Sequence, residues 1–210
     1  MRALLRTVLR AFVRITGRPA GPHITRYVMY ARLGELAAQL PQTASTSVLS
    51  ISHSADLCEV LGLDRAKVQE ANHPDVTVLD LPFADESFDY VISDQVLEHV
   101  EGDPFLAVAE TLRVVRPGGF VVHTTCFMNP VHGSPGDFWR FTPQALSLLV
   151  GDKADVVESG AWGNPFVWMV AALGLRYTPV PHARWHPLHR VATSNDVDWP
   201  VVTWIVARKR

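Results

Sequence analysis

The chain has 210 residues, of which 48% are hydrophobic and 19% are charged, and its formal net charge is −2. This composition predicts one folded domain with its own hydrophobic core and excludes a disordered or fibrous chain. The near-neutral charge also argues against a nucleic-acid partner, because nucleic-acid-binding domains normally carry a clear basic excess.

The sequence predicts a cytoplasmic protein without a transmembrane segment. Its two cysteines, Cys58 and Cys126, lack the spacing of a zinc motif and suit a reducing compartment. The longest uncharged apolar run, residues 165–175, is well short of the ~20 residues that cross a bilayer. The basic N-terminus has no small-residue cleavage site, so we do not expect a signal peptide.

The first segment predicts an amphipathic helix with a basic stripe. Its arginines recur every four residues, and apolar residues occupy other faces. Such a helix can contact an anionic membrane surface, but packing of the apolar side on the domain or on a second subunit is the commoner arrangement. The arginines are Arg2, Arg6, Arg10, Arg14 and Arg18, and the apolar residues are Leu4, Leu5, Val8, Leu9, Phe12 and Val13.

A second helical pattern covers residues 24–40 and precedes the first strand. A helix in that position often covers a ligand cleft, so Arg26, Tyr27 and Tyr30 are lid candidates, and Tyr30 is a candidate substrate contact. For any one of the three, packing at the surface is the commoner role. The predicted single domain has three parts: a helical extension (1–45), a cofactor-binding core (46–160), and an acceptor-side insertion with the last strand (161–210).

From residue 46 onward, strands and helices alternate, which predicts an α/β fold with a largely parallel sheet. Ligands in such sheets bind beyond the carboxyl ends of the strands. The predicted strands are 47–51, 68–71, 90–93, 120–124, 155–158 and 201–207, and the predicted helices are 104–114 and 141–150.

Two motifs in the core carry a family resemblance. The runs DLPFADESFDYVISDQVLEHV (80–100) and ETLRVVRPGGF (110–120) resemble the class I S-adenosylmethionine-dependent methyltransferases. The resemblance implies a Rossmann-like sheet whose last strand is antiparallel, and S-adenosylmethionine as cofactor.

The first cofactor loop departs from this family, which normally has glycines there. The chain instead has a loop without glycine, so we expect its geometry to differ from the usual glycine turn. Backbone N–H groups and hydroxyls would then replace the glycine contacts. The candidate cofactor-binding residues here are Ser50, Ser52 and His53, and Ser54 is a further hydroxyl.

The segment after the second strand is also unusual. Only three residues separate Asn72 from Val76, whereas a parallel crossover needs ~12 residues or more. We expect a sheet that lacks the usual third strand, with residues 76–78 as an extended connection. Asn72 takes the place of the acid that holds the cofactor ribose, with Glu70 as the fallback.

The resemblance assigns two further groups to the cofactor. The first group ends a buried strand and consists of Ser93, Asp94 and Gln95. These side chains would face the methionine part of the cofactor, although such residues also cap helices. Asp80 and Leu81 lie where the family contacts adenine through a side chain and a backbone N–H, although Asp80 could simply cap the turn.

The loop at residues 132–143 resembles an element of small bacterial sugar and glycan O-methyltransferases, including actinobacterial enzymes that methylate mannosides. His132 is our first candidate for the base and Asp137 for the group that orients it. His99 is a second candidate for the base, although a single histidine in a helix more often packs or hydrogen-bonds. Arg140 would anchor the substrate or the cofactor carboxylate, and Trp139 or Phe138 would stack on a sugar ring. Alternatively, Asp137 and Arg140 form an internal ion pair that shapes the loop, while Thr142 caps the next helix.

The insertion adds histidines and tryptophans. His182, His186 and His189 give weak support for a divalent cation such as Mg²⁺, and a loop that folds over the acceptor, with His186 in contact, is the preferred interpretation. The tryptophans predict an acceptor cleft or the interface of a homodimer. They are Trp162, Trp168, Trp185 and Trp199.

These features predict an O-methyltransferase that acts on a hydroxyl of a sugar or glycan intermediate. A methyltransferase for a small natural-product hydroxyl or amine is the alternative within the class. A non-catalytic relative that binds a partner is the alternative outside it.

Overall fold

The computed structural model describes residues 2–16, 19–43, 45–63, 65–133 and 135–210, and it leaves the side chains of residues 2–6, 9 and 14 undescribed. Helix α1 (Arg2–Thr16) comes first, followed by the short strand β1 (Ala20–His23) and helix α2 (Ile24–Ala37). Strand β1 pairs with β7 (Pro179–Pro181) from the insertion in a two-stranded antiparallel sheet that was not predicted.

A mixed sheet of six strands forms the centre of the domain. In chain order, the strands are β2 (Ser47–Ile51), β3 (Lys67–Ala71), β4 (Phe88–Asp94), β5 (Val115–Cys126), β6 (Ala154–Trp162) and β8 (Val202–Lys209). Their spatial order is β3-β2-β4-β5-β8-β6. The first four strands are parallel, and β8 runs antiparallel to both of its neighbours. The Rossmann-like fold with an antiparallel last strand is therefore confirmed.

The absence of a third strand is also confirmed within the described residues. Strand β3 is the edge of the sheet, and the segment that follows it makes turns with one isolated bridge between Thr77 and Asp80. The chain therefore passes from the edge of the sheet directly to β4, and this short connection forms one wall of the cleft described below.

Helices cover both faces of the sheet. Helices α2, α3 (Ala55–Val60) and α7 (Pro187–Thr193) pack on one face, and α4 (Pro104–Val114) and α5 (Pro143–Val150) pack on the other. Helix α6 (Phe166–Ala172) lies in the insertion between β6 and β8, and a 3-10 turn (Leu97–His99) follows β4. Alternate residues of β2 show the layering, because Val48 packs toward the first set of helices and Leu49 toward the second.

Some helix and strand boundaries differ from the predicted ones. Helix α2 ends at Ala37 rather than at residue 40. Helix α5 begins at Pro143 rather than at residue 141, because the Thr142 hydroxyl accepts from the Ala145 N–H, as an N-cap does. Strand β5 extends from 115 to 126 and includes the Pro-Gly-Gly sequence. A Cβ at Gly119 would lie 2.6 Å from the Asp89 carbonyl oxygen, so glycine permits the close approach of β4 and β5.

Helix α1 does not pack all of its described apolar side chains on the domain, and packing on a second subunit stays a prediction. Val8, Phe12 and Ile15 are exposed, while Val13 is buried. Arg10 is exposed, and its guanidinium donates to the Gly174 carbonyl oxygen, with its Nη2 at 2.8 Å. Arg10 therefore connects α1 to the domain, while Val8, Phe12 and Ile15 form an outward apolar stripe. The side chains of Arg2, Arg6, Arg14, Leu4, Leu5 and Leu9, and Arg18 as a whole, lie outside the described residues.

Candidate functional site

A cleft of about 560 Å³ opens where the carboxyl ends of the parallel strands meet. Its volume lies within the range of ~300–1,000 Å³ that is typical of small-molecule sites. The β2 loop, the connection after β3, the segment after β4 and the 132–143 loop all contribute to its wall. The lining residues are Ser52, His53, His73, Pro74, Val76, Thr77, Val78, Leu79, Gln95, Val96, His99, Val100, Glu101 and Pro135.

The loop after β2 has a left-handed backbone although it contains no glycine. Ser52 and His53 have φ angles of 52° and 62°. Two non-glycine residues therefore adopt the left-handed conformation that favours glycine, and the expected difference from the usual glycine turn stays a prediction. Two contacts hold the loop: the Ser52 N–H donates to the Ala71 carbonyl oxygen, and the His53 N–H donates to Asn72 Oδ1, each at 2.9 Å. These bonds offset a strain of roughly 1–2 kcal/mol per residue.

The same loop is bonded to β4. The Ser54 hydroxyl donates to the Ile51 carbonyl oxygen and accepts from the Asp94 N–H at 2.7 Å. Ser50, predicted to contact the cofactor, is instead fully buried within β2 and does not line the cleft. Of the three residues predicted from this loop, Ser52 and His53 face the cleft.

Asn72 holds the loop rather than facing the cleft. Its Oδ1 accepts from His53, and its Nδ2 donates to Glu70 Oε2 at 2.8 Å. Neither Asn72 nor Glu70 is among the lining residues. Their predicted contact with a ribose stays a prediction, and the structure gives both side chains a role in fixing the first loop.

Asp94 anchors helix α2 over the end of β4. Its Oδ2 accepts from Arg26 Nε at 3.1 Å and from the Tyr30 hydroxyl at 2.6 Å, and its Oδ1 accepts from the Thr124 hydroxyl. Burial and the neighbouring carboxylate raise the pKa of Tyr30 above its usual range. Arg26 and Tyr30 thus connect the predicted lid to the predicted cofactor edge, and their bonds satisfy the Asp94 carboxylate.

Ser93 belongs to a buried hydrogen-bond chain instead of the cleft. Its hydroxyl lies 2.7 Å from His123 Nδ1, and His123 Nε2 lies 3.2 Å from the Thr111 hydroxyl oxygen. Because Thr111 donates to the Val108 carbonyl oxygen, it accepts from an Nε2–H. Burial lowers the pKa of His123 to about 4, so the ring is neutral and Ser93 donates to Nδ1.

The predicted adenine contacts occupy different places from those expected. Asp80 is exposed, Leu81 is buried, and neither lines the cleft, whereas Thr77 and Val78 of the same segment do.

Two residues that were not singled out from the sequence hold this segment. Leu81 donates its N–H to Glu110 Oε2, and Arg113 bonds both Glu110 and the Leu81 carbonyl oxygen. Hydrogen bonds from Arg113 lower the pKa of Glu110.

Gln95 and His99 are the predicted polar residues of the β4 end that face the cleft. Gln95 has a left-handed backbone, with φ at 58°, and its N–H donates to the Thr124 carbonyl oxygen at 2.9 Å. His99 Nδ1 donates to the Gly136 carbonyl oxygen. In the neutral ring, this bond leaves the lone pair on Nε2, which can accept a proton.

His132 lies behind His99 and is not a lining residue. The two rings meet edge to face with their centroids 5.0 Å apart. The His132 N–H donates to Asp137 Oδ2 at 2.7 Å, and burial lowers the pKa of the ring. Arg140 donates to both oxygens of Asp137 and holds the pKa of that carboxyl well below its usual range. The internal ion pair considered from the sequence is therefore present, and it shapes the loop.

Aromatic side chains of this loop are positioned beside the cleft. Trp139 donates from Nε1 to the Val100 carbonyl oxygen at 2.9 Å and remains 38% exposed. Phe138 is 48% exposed. The backbone N–H groups of both residues donate to the Glu98 carbonyl oxygen. The loop is thereby fixed to the 3-10 turn, with two accessible rings.

Glu98 was not predicted as a functional residue, because in the sequence it looks the same as an ordinary exposed glutamate on a helix. Its side chain is fully buried, and its Oε2 accepts from the Thr125 hydroxyl at 2.8 Å. Its Oε1 is buried without a hydrogen-bond partner among the described residues. Burial raises the pKa of Glu98.

The histidines of the insertion do not form the metal cluster considered from the sequence. His186 is buried, and its Nδ1 caps helix α7 by accepting from the Leu188 N–H at 3.1 Å. His189 Nδ1 contacts the Pro181 carbonyl oxygen at 2.8 Å. Among the described residues, His182, His186 and His189 do not converge as metal ligands, and none of them lines the cleft.

The tryptophans of the insertion divide into two groups. Trp162 is buried in the core rather than exposed to an acceptor. Trp168, Trp185 and Trp199 are 43%, 65% and 42% exposed, so they remain available for contacts with another molecule.

Sequence comparisons find similarity between this core and methyltransferases. Residues 32–123 match a family model described as a methyltransferase domain. An uncharacterized methyltransferase of Mycobacterium tuberculosis (strain ATCC 25618 / H37Rv) is 31% identical over 118 residues, which cover 50% of this chain and 46% of that protein. One of Mycobacterium avium (strain 104) is 48% identical over 54 residues, 25% of this chain and 21% of that protein. The chain spans less than half of the length of either relative.

Solved structures agree on the fold. A SAM dependent methyltransferase from Aquifex aeolicus superposes with a TM-score of 0.53 and 10% identity, over 96% of this chain and 98% of that one. The [4+2]-cyclase SpnF superposes with a TM-score of 0.50 and 18% identity, over 85% and 80% of the two chains. These likenesses show the fold, and the cyclase illustrates that one fold can serve a different reaction.

Proposed function

We propose that residues 32–123, which match a family model of a methyltransferase domain, form an S-adenosylmethionine-dependent methyltransferase core, and that the protein methylates a hydroxyl group of a sugar or glycan intermediate. The observation that carries this proposal is the cleft at the carboxyl ends of β2 and β4. It combines a left-handed loop with a histidine whose Nε2 is free to take a proton.

The residues of the cleft fit the cofactor. Ser52, His53 and Gln95 all line the cleft, and each of them has a positive φ. Thr77 and Val78 line the part of the cleft nearest the segment that the resemblance assigns to adenine. When bound, S-adenosylmethionine supplies a methyl group activated by its sulfonium.

His99 is the base in this proposal. A sugar hydroxyl is a poor nucleophile, so its attack benefits from a group that removes its proton as the oxygen–carbon bond forms. The Gly136 carbonyl oxygen fixes the His99 ring through Nδ1, which assigns proton acceptance to Nε2. His132 supports the ring of His99 from behind. The Asp137–Arg140 pair holds the backbone of the loop, through the Asp137 bond to the His132 N–H.

The acceptor would bind against the aromatic rings of the 132–143 loop. Trp139 and Phe138 are exposed beside the cleft, where a ring can stack on the C–H face of a sugar. A methyltransferase for a small natural-product hydroxyl or amine would use the same cofactor, and acceptor choice separates the two activities.

The test is a transfer assay with methyl-labelled S-adenosylmethionine and a panel of acceptors. The panel contains mannosides, other hexosides, a phenol and a primary amine, with product masses and methylated positions read by mass spectrometry and NMR. Labelled O-methyl sugar supports the proposal. Transfer to the phenol or amine alone would assign the alternative acceptor class.

The proposal also covers the cellular location of the protein. Within the described residues, no helix is both long and apolar enough to cross a bilayer. We place the enzyme in the cytoplasm, with α1 in peripheral contact with an anionic membrane surface through Val8, Phe12 and Ile15. We also propose that the exposed tryptophans of the insertion form the interface of a homodimer.

A further inference from the structure

Three side chains with metal-binding atoms meet behind the His99 wall of the cleft. Glu98 comes from the 3-10 turn, Cys126 from the last position of β5, and His132 from the following loop. One ligand atom of each lies within 4.8 Å of the others, and no other group of this kind occurs among the described residues. No spacing motif in the sequence indicates this group, because the three residues come from separate elements.

An unpartnered buried oxygen points to a ligand at this place. Glu98 has no solvent exposure, its Oε2 is bonded to Thr125, and its Oε1 has no hydrogen-bond donor among the described residues. A buried carboxyl oxygen without a partner is unfavourable, because burial removes its water and nothing in the protein replaces it. A cation between Oε1 and the two neighbouring ligand atoms would satisfy it.

The surroundings of His132 match those of a metal-binding histidine. Its Nε2 faces Glu98, with 4.0 Å between Nε2 and Oε1. Its Nδ1 lies 3.2 Å from the Pro130 carbonyl oxygen and 3.3 Å from Asp137 Oδ2, and the Asn129 carboxamide is 3.2 Å away. Metal-binding histidines usually donate their second N–H to a carboxylate or a backbone carbonyl, which fixes the ring and the tautomer.

We propose that Glu98 Oε1, Cys126 Sγ and His132 Nε2 bind one divalent metal ion, with Zn²⁺ as the preferred ion. A mixed set of carboxylate, thiolate and imidazole suits zinc, whereas Mg²⁺ prefers oxygen ligands alone. Three protein ligands leave the fourth tetrahedral position for water.

Binding would release a proton. Cysteine binds a metal ion as the thiolate. The zinc–sulfur bond forms as the S–H bond of Cys126 breaks and its proton passes to the buffer.

The site would fix the acceptor side of the cleft. It links β5 to the 132–143 loop, which carries Trp139 and Phe138 and donates two backbone N–H groups to Glu98. This inference concerns the metal and the order of the loop, so it stands or falls separately from methyl transfer.

The experiment is a titration of the chelator-treated full-length protein with Co²⁺, which reports its ligands by visible absorption. We expect one Co²⁺ per chain, tetrahedral d–d bands and a thiolate-to-cobalt charge-transfer band, all lost on addition of Zn²⁺. Cys126→Ser should abolish the charge-transfer band, and His132→Ala should weaken Zn²⁺ binding by about 100-fold or more. Cys58→Ser, which removes the other buried thiol, should leave the spectrum unchanged.

Circular dichroism and S-adenosylhomocysteine binding on the same samples separate the outcomes. His132 is partly exposed, so His132→Ala is the variant expected to fold most readily. Loss of cobalt binding in a folded His132→Ala protein supports the site. Failure of the folded wild type to bind Co²⁺ or Zn²⁺ stoichiometrically, or an unchanged spectrum in Cys126→Ser, would overturn it. Absent cofactor binding with intact cobalt bands would count against the proposed function alone.

Discussion

Arg26 on α2 and Asp94 at the end of β4 form an ion pair with 3.1 Å between Nε and Oδ2, although 68 residues separate them in the chain. Both side chains are largely buried, at 16% and 11% exposure. The pair joins the helix that precedes the sheet to the strand end that borders the cleft.

Breaking this pair should loosen α2. Arg26→Gln leaves Asp94 partly buried with one charge unmatched, so we expect a loss of about 3 kcal/mol in the free energy of unfolding and faster proteolysis within α2. Urea denaturation and limited proteolysis measure both effects. Arg32→Gln is the matched control, because it breaks the more exposed contact between α2 and Glu158 and should cost much less stability than Arg26→Gln. Equal losses in the two variants would contradict the anchoring role of Asp94.

His123 makes stability depend on pH. Its pKa in the folded protein is about 4, below the usual value of 6.5, because burial disfavours the charged ring. Above pH 6.5 the ring is neutral in both states. Between pH 6.5 and 4 only the unfolded chain binds the proton, so folding stability falls by up to about 3 kcal/mol as the pH is lowered.

The measurement is urea denaturation of the wild type and His123→Gln at several pH values between 4 and 7. The variant should lose less stability over this window than the wild type. His53→Gln, which changes an exposed histidine, is the control. Parallel curves for the wild type and His123→Gln would show that His123 does not carry this dependence.

The left-handed backbone of the first loop predicts a stabilising substitution. Ser52→Gly removes the Cβ at a φ of 52°, so it should raise the free energy of unfolding by roughly 1 kcal/mol. Ser45→Gly, at an exposed position without a positive φ, should be neutral or slightly destabilising. A Ser52→Gly protein less stable than the wild type would mean that the Ser52 side chain contributes more than the backbone strain costs.

His99 and His132 should differ in their kinetic effects. His99→Asn can keep a donor for the Gly136 carbonyl oxygen while it removes the base, so the rate of methyl transfer should fall by roughly 10²–10⁴-fold with cofactor affinity nearly unchanged. His132→Ala should also reduce turnover more than cofactor affinity, but by less than His99→Asn. The assay is a single-turnover rate for each variant beside its calorimetric Kd. A larger rate loss in His132→Ala would return the role of base to His132.

The outward stripe of α1 predicts binding to lipid vesicles. Ile15 is 82% exposed, so Ile15→Glu should reduce cosedimentation with vesicles containing phosphatidylglycerol. Val197→Glu alters an apolar residue of similar exposure, 84%, away from α1 and should have no effect. Equal binding by Ile15→Glu and the wild type, or no binding by the wild type, would remove the membrane contact from the account.

Local signals explain why much of the fold was predicted from the sequence. The apolar runs of β2 and β4 can be recognised as strands without information about distant residues. The connection of three residues after Asn72 is too short for a parallel crossover. Thr142 followed by Pro143 fixes the start of α5 by its own side chain and ring.

The site was predicted less well because its contacts join distant parts of the chain. The partner of Asp94 comes from α2, and the partner of Ser93 is His123, 30 residues later. The left-handed backbone of Ser52 and His53 is held by bonds that their N–H groups donate to Ala71 and Asn72, which the sequence of the loop does not contain. Sequence patterns placed polar residues at the correct strand ends, and only the tertiary structure separates those that face the cleft from those that hold it.

The central claim is that this cleft binds the methyl-donor cofactor, and calorimetric titration with S-adenosylhomocysteine tests it most directly because the demethylated product is stable and requires no acceptor. We expect one site per chain with a Kd on the order of micromolar, about −8 kcal/mol. Thr77→Arg, which fills the cleft wall, should abolish this binding, while Val197→Glu preserves it. Absence of binding by the folded wild-type protein at millimolar ligand, with no shift in Tm, would contradict the account and identify the chain as a non-catalytic relative.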